Sequence, residues 1–282
     1  MADDDGKSSR SGSDRNFDDL KNLFQERIYG TIKGNYRFDM TLSDIDKELE
    51  YSPKDSNLTA LDVGGGLGQV TMSLGRNQLF SKVYYYDISS EMKCHVDQMI
   101  QKERENQTER REEHPHVSTI VTRVGGLREA IADIEQDQDE KNRTQFGPDL
   151  VCLHAVLEWL SNPMEDLKLL LDFMKPGSIL SLLYYNTIAP KSSKPRRKPR
   201  KPSKLKPYHE FNHVKIEAIL AENGFEITRR TGLRVRKFQR DGSEKEMNKY
   251  LEEERKIARV EPYCRQGRYN HIVAVKKTDT YE

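Results

Sequence analysis

The stretch LDVGGGLGQV, residues 61 to 70, constrains this chain more than any other. An apolar run leads into four glycines within five positions, and a helical pattern begins near Gln69. Glycine gives up more backbone freedom on folding than any other residue. Such a cluster therefore marks a turn whose torsions are closed to side chains, or a backbone that a ligand approaches closely. Strand, glycine loop and helix form the opening unit of a nucleotide-binding type of α/β sheet.

The rest of the chain repeats that unit. TALDV (59–63), KVYYYD (82–87), STIVTRV (118–124), DLVCLH (149–154) and SILSLLYY (178–185) read as strands, separated by helical spacing. Ser90 is placed to cap a helix with Met92, Val96, Met99 and Ile100 on one face. Leu167, Leu170, Leu171 and Met174 repeat the pattern before Pro176-Gly177. Further on, a helix from about Glu210 should end at Asn223-Gly224, with a strand near FEITRR or GLRVRKF. Ser243 and Glu246 offer a capping box, and RYNHIVAVKK (268–277) closes the pattern as a strand. The expectation is an α/β fold: a mostly parallel seven-stranded sheet, helices on both faces and an antiparallel edge strand.

Composition narrows the setting. No apolar run approaches the roughly 18 residues of a membrane span, and the polar start MADDDGKSSRSGSDR lacks a secretory core, so a cytoplasmic protein is expected. Cys94, Cys152 and Cys264 have neither disulfide-framework nor zinc spacing, so no metal is expected. Charge is unevenly distributed. Residues 191–206, KSSKPRRKPRKPSKLK, hold nine of the 47 Lys and Arg residues and no acid, leaving 38 cations against 46 acids elsewhere. Prolines at 195, 199 and 202 oppose a regular helix there.

Two cofactor classes use a glycine loop after the first strand. The dinucleotide fingerprint is G-x-G-x-x-G, whereas Gly64, Gly66 and Gly68 follow G-x-G-x-G, with Gln69 where the last fingerprint glycine would stand. That spacing favours S-adenosylmethionine (SAM) over a nicotinamide cofactor. Asp87 ends the second strand 19 residues beyond Gly68, where a carboxylate can accept both hydroxyls of an adenosyl ribose. Either cofactor would use it, and a surface aspartate at a strand end is the competing reading.

The fourth strand with its exit, DLVCLHAVLEWLSNP, and the later FMKPGSILSLLYYN resemble the Rossmann-like class I SAM-dependent methyltransferases over about residues 59–186. A closer resemblance spans more of the chain. DRNFDDLKNLFQERIYGTIKG (14–34), HAVLEW (154–159), LSLLYYN (180–186), TGLRV (231–235) and EPYCRQGRYNH (261–271) together resemble the bacterial tRNA 5-carboxymethoxyuridine methyltransferase family. The resemblance implies methyl transfer from SAM to the carboxylate of a modified uridine at the tRNA wobble position, giving a methyl ester. It implies a helical cap at 14–58 and a methyltransferase domain at 59–282, while the tail at 1–13 and the basic insert at 187–208 exceed the family pattern. It also implies cofactor contacts at Arg37, Gly64, Gly65, Asp87, Gly126 and His154. The chain departs from the family pattern at Leu67, and at LREA after Gly126, where an acidic adenine contact would be expected.

The implied reaction needs no general base, since a carboxylic acid of pKa about 4 is ionised at neutral pH. It needs a cationic holder. Arg268, Arg234, Arg236 and Arg37 are the candidates, because guanidinium grips carboxylate through two parallel hydrogen bonds. Arg37 is read first as gripping the SAM carboxylate, and surface salt bridges compete for the others. Tyr184 and Tyr185 point to opposite faces, so one ring should lie in the core while the other, Tyr185, can stack on a base, with Asn186 reading its edge. Arg196, Arg197, Lys198, Arg200 and Lys201 are the expected phosphate clamp on the anticodon arm, a solvated loop being the alternative. A small-molecule methyltransferase and a catalytically silent RNA-binding protein remain as competing functions.

Overall fold

The computed structural model describes residues 13–21, 25–26, 30–52, 57–110, 118–136, 147–187, 206–236 and 244–278. The strands are β1 (Leu58–Val63), β2 (Phe80–Asp87), β3 (Thr119–Val124), β4 (Leu150–His154), β5 (Ile179–Tyr185), β6 (Phe225–Leu233) and β7 (Tyr269–Lys276). They form one sheet in the order β3-β2-β1-β4-β5-β7-β6. Every pairing is parallel except those of β7, which runs antiparallel to both β5 and β6. The strand order reverses between β1 and β4, and at such a switch point the crevice outside the carboxyl ends is where ligands bind.

The helices are α1 (Ile32–Leu49), α2 (Gln69–Gly75), α3 (Ser90–Arg110), α4 (Leu127–Gln136), α5 (Pro163–Phe173), α6 (His213–Glu222) and α7 (Glu244–Ile257). Both faces of the sheet are covered, which is why the central strands are apolar without alternation. On β4, Val151 and Leu153 pack with α4, α5 and α6, whereas Leu150 and Cys152 pack with Ile45 and Leu49 of α1 and Leu74 of α2. Thr31 caps α1 by accepting from Gly34 N at 3.1 Å. Asn212 caps α6 by accepting from Val214 N at 2.9 Å, so that helix begins at His213 rather than near Glu210. The two alternatives for the sixth strand partly fuse into FEITRRTGL, because pairing with β7 continues to Leu233.

Within the expected helical cap, the regular helix is α1. Residues 14–17 instead have no regular secondary structure and lead into a 3-10 turn at Asp18–Leu20. Ser243, nearly all of the amino-terminal tail, and Arg196, Arg197, Lys198, Arg200 and Lys201 lie outside the described residues. Among the described residues no helix is long and apolar enough to cross a membrane, and no cluster of metal-ligating side chains occurs.

Candidate active site

The crevice has two unlike halves. The first is built from backbone at the ends of β1 and β2. Gly64, Gly66 and Gly68 have φ of +64°, +55° and +78°, in the left-handed region that favours glycine. A side chain at Gly65 would begin 2.6 Å from the Tyr85 ring and 2.8 Å from an Asp62 carboxylate oxygen. Gly64 N and Gly65 N donate to Tyr86 O, and Tyr85 Oη donates to Gly66 O at 2.7 Å. Asp87 holds the loop from the side, accepting from Gly66 N at 2.9 Å and from Ser89 N at 2.8 Å. Burial raises its carboxyl above the ordinary value. An ionised carboxylate offers about four acceptor positions, so two remain for ligand hydroxyls. The residues present fit an adenosyl ribose beside a glycine turn.

Over this half lies a strap formed by residues 14–18. Asp14 accepts from Ser161 N at 2.8 Å and Ser161 Oγ at 2.9 Å, and Arg15 N donates to Trp159 O at 3.1 Å. Asn16 Nδ2 then donates to Ile88 O at 3.0 Å, and Ser89 Oγ donates to Asp18 at 2.5 Å. The strap thus joins the exit of β4 to the exit of β2, with Phe17 edge-on to Trp159 at 4.9 Å. Gly126 sits beneath it and donates its N–H to Glu129 at 3.0 Å. A Cβ at Gly126 would lie 3.2 Å from a Glu129 oxygen and 3.9 Å from one of Asp14. Acidic groups do meet at Gly126, one from α4 and one from the far end of the chain.

The second half is built from side chains. Across the sheet edge, Tyr185 of β5, Tyr269 of β7 and Leu233 of β6 stand in one register row. The two tyrosine rings lie 4.4 Å apart, and their hydroxyl oxygens are hydrogen-bonded at 2.9 Å. Three guanidiniums surround the pair: Arg37 at 5.4 Å and Arg234 at 5.9 Å from the Tyr269 ring, and Arg268 at 5.3 Å from the Tyr185 ring. Burial opposes ionisation of Tyr269, yet Arg37 and Arg234, with the Tyr185 bond and Arg268, hold its hydroxyl below the ordinary value. Close backbone approach sets this geometry. A Cβ at Gly232 would fall 2.2 Å from Tyr263 O, and one at Gly267 would fall 2.3 Å from Leu233 N. Only glycine allows the two segments to touch, which brings Arg234 and Arg268 to the same rim. Arg234 itself has φ +59°, a strained conformation for a residue with a side chain.

Two candidates leave the site. Arg236 pairs with Glu253 on the exposed surface. Asn186 is buried, and its amide donates to Arg265 O at 2.8 Å and Gly267 O at 3.0 Å, so it ties a loop instead of reading a base. Tyr184 takes the core role, fully buried and edge-on to Phe211.

Between the halves stands β4. His154 ends it, with Nε2 2.7 Å from Ser181 Oγ. Burial, then the nearby His271 and Arg37, hold its ring well below the ordinary value, so it is neutral. Ala155 follows at φ +59°. Glu158, within HAVLEW, is fully buried with both carboxylate oxygens unpartnered among the described residues. Burial pushes its carboxyl up to about 8 despite the charge of Arg37. Asp14, Glu158, Ser181 and Asp44 were not singled out from sequence. Glu158 and Asp14 sit inside quoted family blocks, which is the signal that could have found them. Ser181 lies likewise within LSLLYYN, whereas Asp44 carries no such signal.

A family model for a methyltransferase domain matches residues 36–230. The tRNA 5-carboxymethoxyuridine methyltransferase of Escherichia coli strain K12 is 30% identical over 285 residues, covering 93% of this chain and 97% of its own length. Among solved structures, the plantazolicin methyltransferase BamL in complex with a triazolic desmethylPZN analog and SAH aligns with a TM-score of 0.51 at 14% identity, over 92% of this chain and 90% of its own. The cyclase SpnF aligns with a TM-score of 0.51 at 16% identity, over 93% and 94%. The last two share the fold alone, and a cyclase among them illustrates that fold does not fix reaction. The matched domain and the nearly full-length relative decide the matter: the chain belongs to the SAM-dependent methyltransferases, in the family of the tRNA 5-carboxymethoxyuridine methyltransferase of Escherichia coli.

Proposed function

We propose that this enzyme methylates the carboxylate of 5-carboxymethoxyuridine at the wobble position of tRNA, forming the methyl ester. The observation that carries the reading is the convergence of Arg37, Arg234 and Arg268 on the Tyr185–Tyr269 pair beside the glycine loop. When bound, SAM supplies an electrophilic methyl group on a sulfonium. Gly64, Gly65 and Asp87 hold the nucleoside end, with Gly126 under the strap near the base and Arg37 and His154 toward the amino-acid end. Arg234 and Arg268 grip the substrate carboxylate, which arrives ionised, so the chain needs to position it and exclude water rather than remove a proton. Tyr185 presents its ring to the uracil.

The attachment of the basic insert supports a nucleic-acid substrate. Thr187 N donates to Phe211 O at 3.0 Å and Phe211 N to Tyr185 O at 2.8 Å, so both ends of the insert are moored at the substrate half. Tyr208 N and His209 N donate to Glu158 O, fixing the returning chain at the same mouth. Lys and Arg between these moorings contact the phosphates of the anticodon arm, and a tRNA substrate places the reaction in the cytoplasm.

Mass spectrometry of tRNA nucleosides after incubation with SAM tests the reading. One added methyl on the oxyacetic uridine alone is expected. Methylation of another nucleoside, or of free carboxylic acids in preference to tRNA, overturns the assignment.

A further inference from the structure

A chain of hydrogen bonds runs from the interior to His154. Asp44, on α1, accepts from His271 Nδ1 at 2.9 Å. His271 Nε2 lies 2.8 Å from Ser181 Oγ, which lies 2.7 Å from His154 Nε2. The two imidazoles stand edge to face, 5.6 Å apart, one on β7 and one at the end of β4, with Ser181 of β5 between them. Asp44, Ser181 and His271 are 1% exposed or less. The relay is buried from end to end up to the His154 ring.

The far end is firmly held. Thr231 Oγ1 donates to Asp44 at 2.6 Å and Arg259 Nε at 2.7 Å. Burial alone would raise the Asp44 carboxyl, but the bonds from His271 and Thr231, with the charge of Arg259, hold it below the ordinary value. Asp44 is therefore an acceptor only. Arg259 pairs with Asp44 on its other carboxylate oxygen and supplies a countercharge. Cys152, paired across the strands from Ser181, is a buried thiol raised well above its ordinary value, and it offers Ser181 no anionic competitor.

When each imidazole carries a single proton, the positions of all three shared protons follow. Asp44 accepts, so the His271 proton is on Nδ1 and its Nε2 is bare. Ser181 Oγ must then donate to His271 Nε2. A hydroxyl has a single proton, so Ser181 can only accept on its other side, and the His154 proton must be on Nε2. His154 Nδ1 is left as a bare lone pair. That atom takes no hydrogen bond from the described residues. A histidine's tautomer is set by what its other nitrogen bonds. Here the choice is made three side chains away.

We infer that Asp44, His271 and Ser181 act as positioning residues that lock His154 in the Nε2–H tautomer, so that it turns a bare Nδ1 acceptor toward the cationic end of SAM. The opposite tautomer would aim an N–H at a sulfonium and an ammonium, and a protonated ring would repel both. The inference rests on the reading of His154 as a cofactor contact. It also explains why a polar chain is buried here at all, since a methyl transfer to a carboxylate needs no general base. Asp44 lies two helical turns from Arg37 on α1, so the bond that sets the tautomer also docks the helix that carries the arginine.

Two-dimensional NMR of the full chain labelled with ring-15N histidine reads the tautomers directly. Wild-type His154 should show its proton on Nε2 and His271 on Nδ1, and a His154 proton on Nδ1 overturns the proposal without any variant. In Asp44→Asn the amide can donate to His271 Nδ1. That reverses each bond in turn, as the same change does to the histidine of a serine-protease triad. His154 should then move to Nδ1–H, and SAM affinity measured by calorimetry should fall about tenfold or more. Ser181→Ala should leave His154 as a mixture of tautomers. A folded Asp44→Asn protein with unchanged His154 tautomer would reject the relay, because a merely structural Asp44 would change stability and not proton position. A shifted tautomer with undiminished SAM affinity would keep the proton chain but reject its role toward the cofactor, and with it the placing of His154 against SAM.

Discussion

The glycine-loop half and the arginine-tyrosine half of the crevice solve different problems by different means. The first is made mostly of backbone donors and one carboxylate, with Gly64 to Asp87 lying close together in the chain. The second is made of side chains from α1, β5, β6 and β7, brought together only by the sheet. A cofactor shared by a whole fold can be held by what the fold always provides. A particular substrate cannot, and on the proposed reading its recognition falls to charges at the antiparallel edge. The lesson is that the two halves should fail separately.

The largest separation is expected from the substrate half. Replacing Arg234 and Arg268 together by Ala should lower kcat/KM for tRNA by roughly two to four orders of magnitude, two charge-assisted contacts being worth about 1.5–3 kcal/mol each. SAM affinity should not change. Steady-state kinetics beside calorimetry checks both, and a parallel loss of SAM binding would merge the halves into one site.

Glu158 lies between them and is predicted to lower stability rather than raise it. Its carboxyl ionises near 4.5 when unfolded but is pushed up to about 8 in the fold. Between those values the folded chain holds a proton the unfolded chain has released, so stability falls as pH rises through that window. Glu158→Gln should therefore stabilise the fold little at pH 5 and most near pH 8, by on the order of several kcal/mol, read as a rise in Tm that grows with pH. A gain independent of pH would show that Glu158 is ionised and partnered.

A smaller effect is expected on the cofactor side. Asp87→Ala removes hydrogen bonds to a ribose and loosens Gly66, so SAM affinity should fall by about ten- to a hundredfold, on the scale of 1.5–3 kcal/mol. Undiminished binding by the folded variant would reject the ribose role. The insert offers a finer test. Serine at Arg196, Arg197, Lys198, Arg200 and Lys201 should flatten the dependence of log affinity on log salt by about 0.7 to 0.9 for each phosphate no longer neutralised, with base selectivity intact. An unchanged slope would leave the insert a solvated loop. The smallest effect is also the most pointed: Arg234→Gly should stabilise the fold by about 1 kcal/mol through relief of its positive φ, while losing turnover. A lower Tm would mean that Arg234 supports the edge it decorates.

Much of this is legible in the sequence. Strand–glycine–helix punctuation and family blocks point to the sheet, its antiparallel edge and the cofactor half, because those signals are local. Tyr184 and Tyr185 are separable by alternation alone. The Asn186 reading fails because its partners, the carbonyls of Arg265 and Gly267, belong to a loop that only the β5–β7 pairing brings near. The start of α6 moves by three residues since Asn212, not a residue before Glu210, supplies the cap. Asp44, and the role of Ser181 within LSLLYYN, are invisible for a deeper reason. A buried serine in LSLLYY and an aspartate in an amphipathic helix are ordinary in sequence, and only three-dimensional proximity makes them a chain.

The mooring of the insert has a consequence for how such enzymes change over time. Thr187 and Phe211 already meet through hydrogen bonds, so the chain's return to the crevice is fixed by the fold and not by bound RNA. The entropy of closing a flexible loop grows only as the logarithm of its length, about 0.6 kcal/mol for each doubling. Sequence between the moorings can therefore lengthen, shorten or exchange its cations at little cost to the folded domain. The catalytic crevice can stay constant while the proposed grip on an RNA backbone is rewritten next to it.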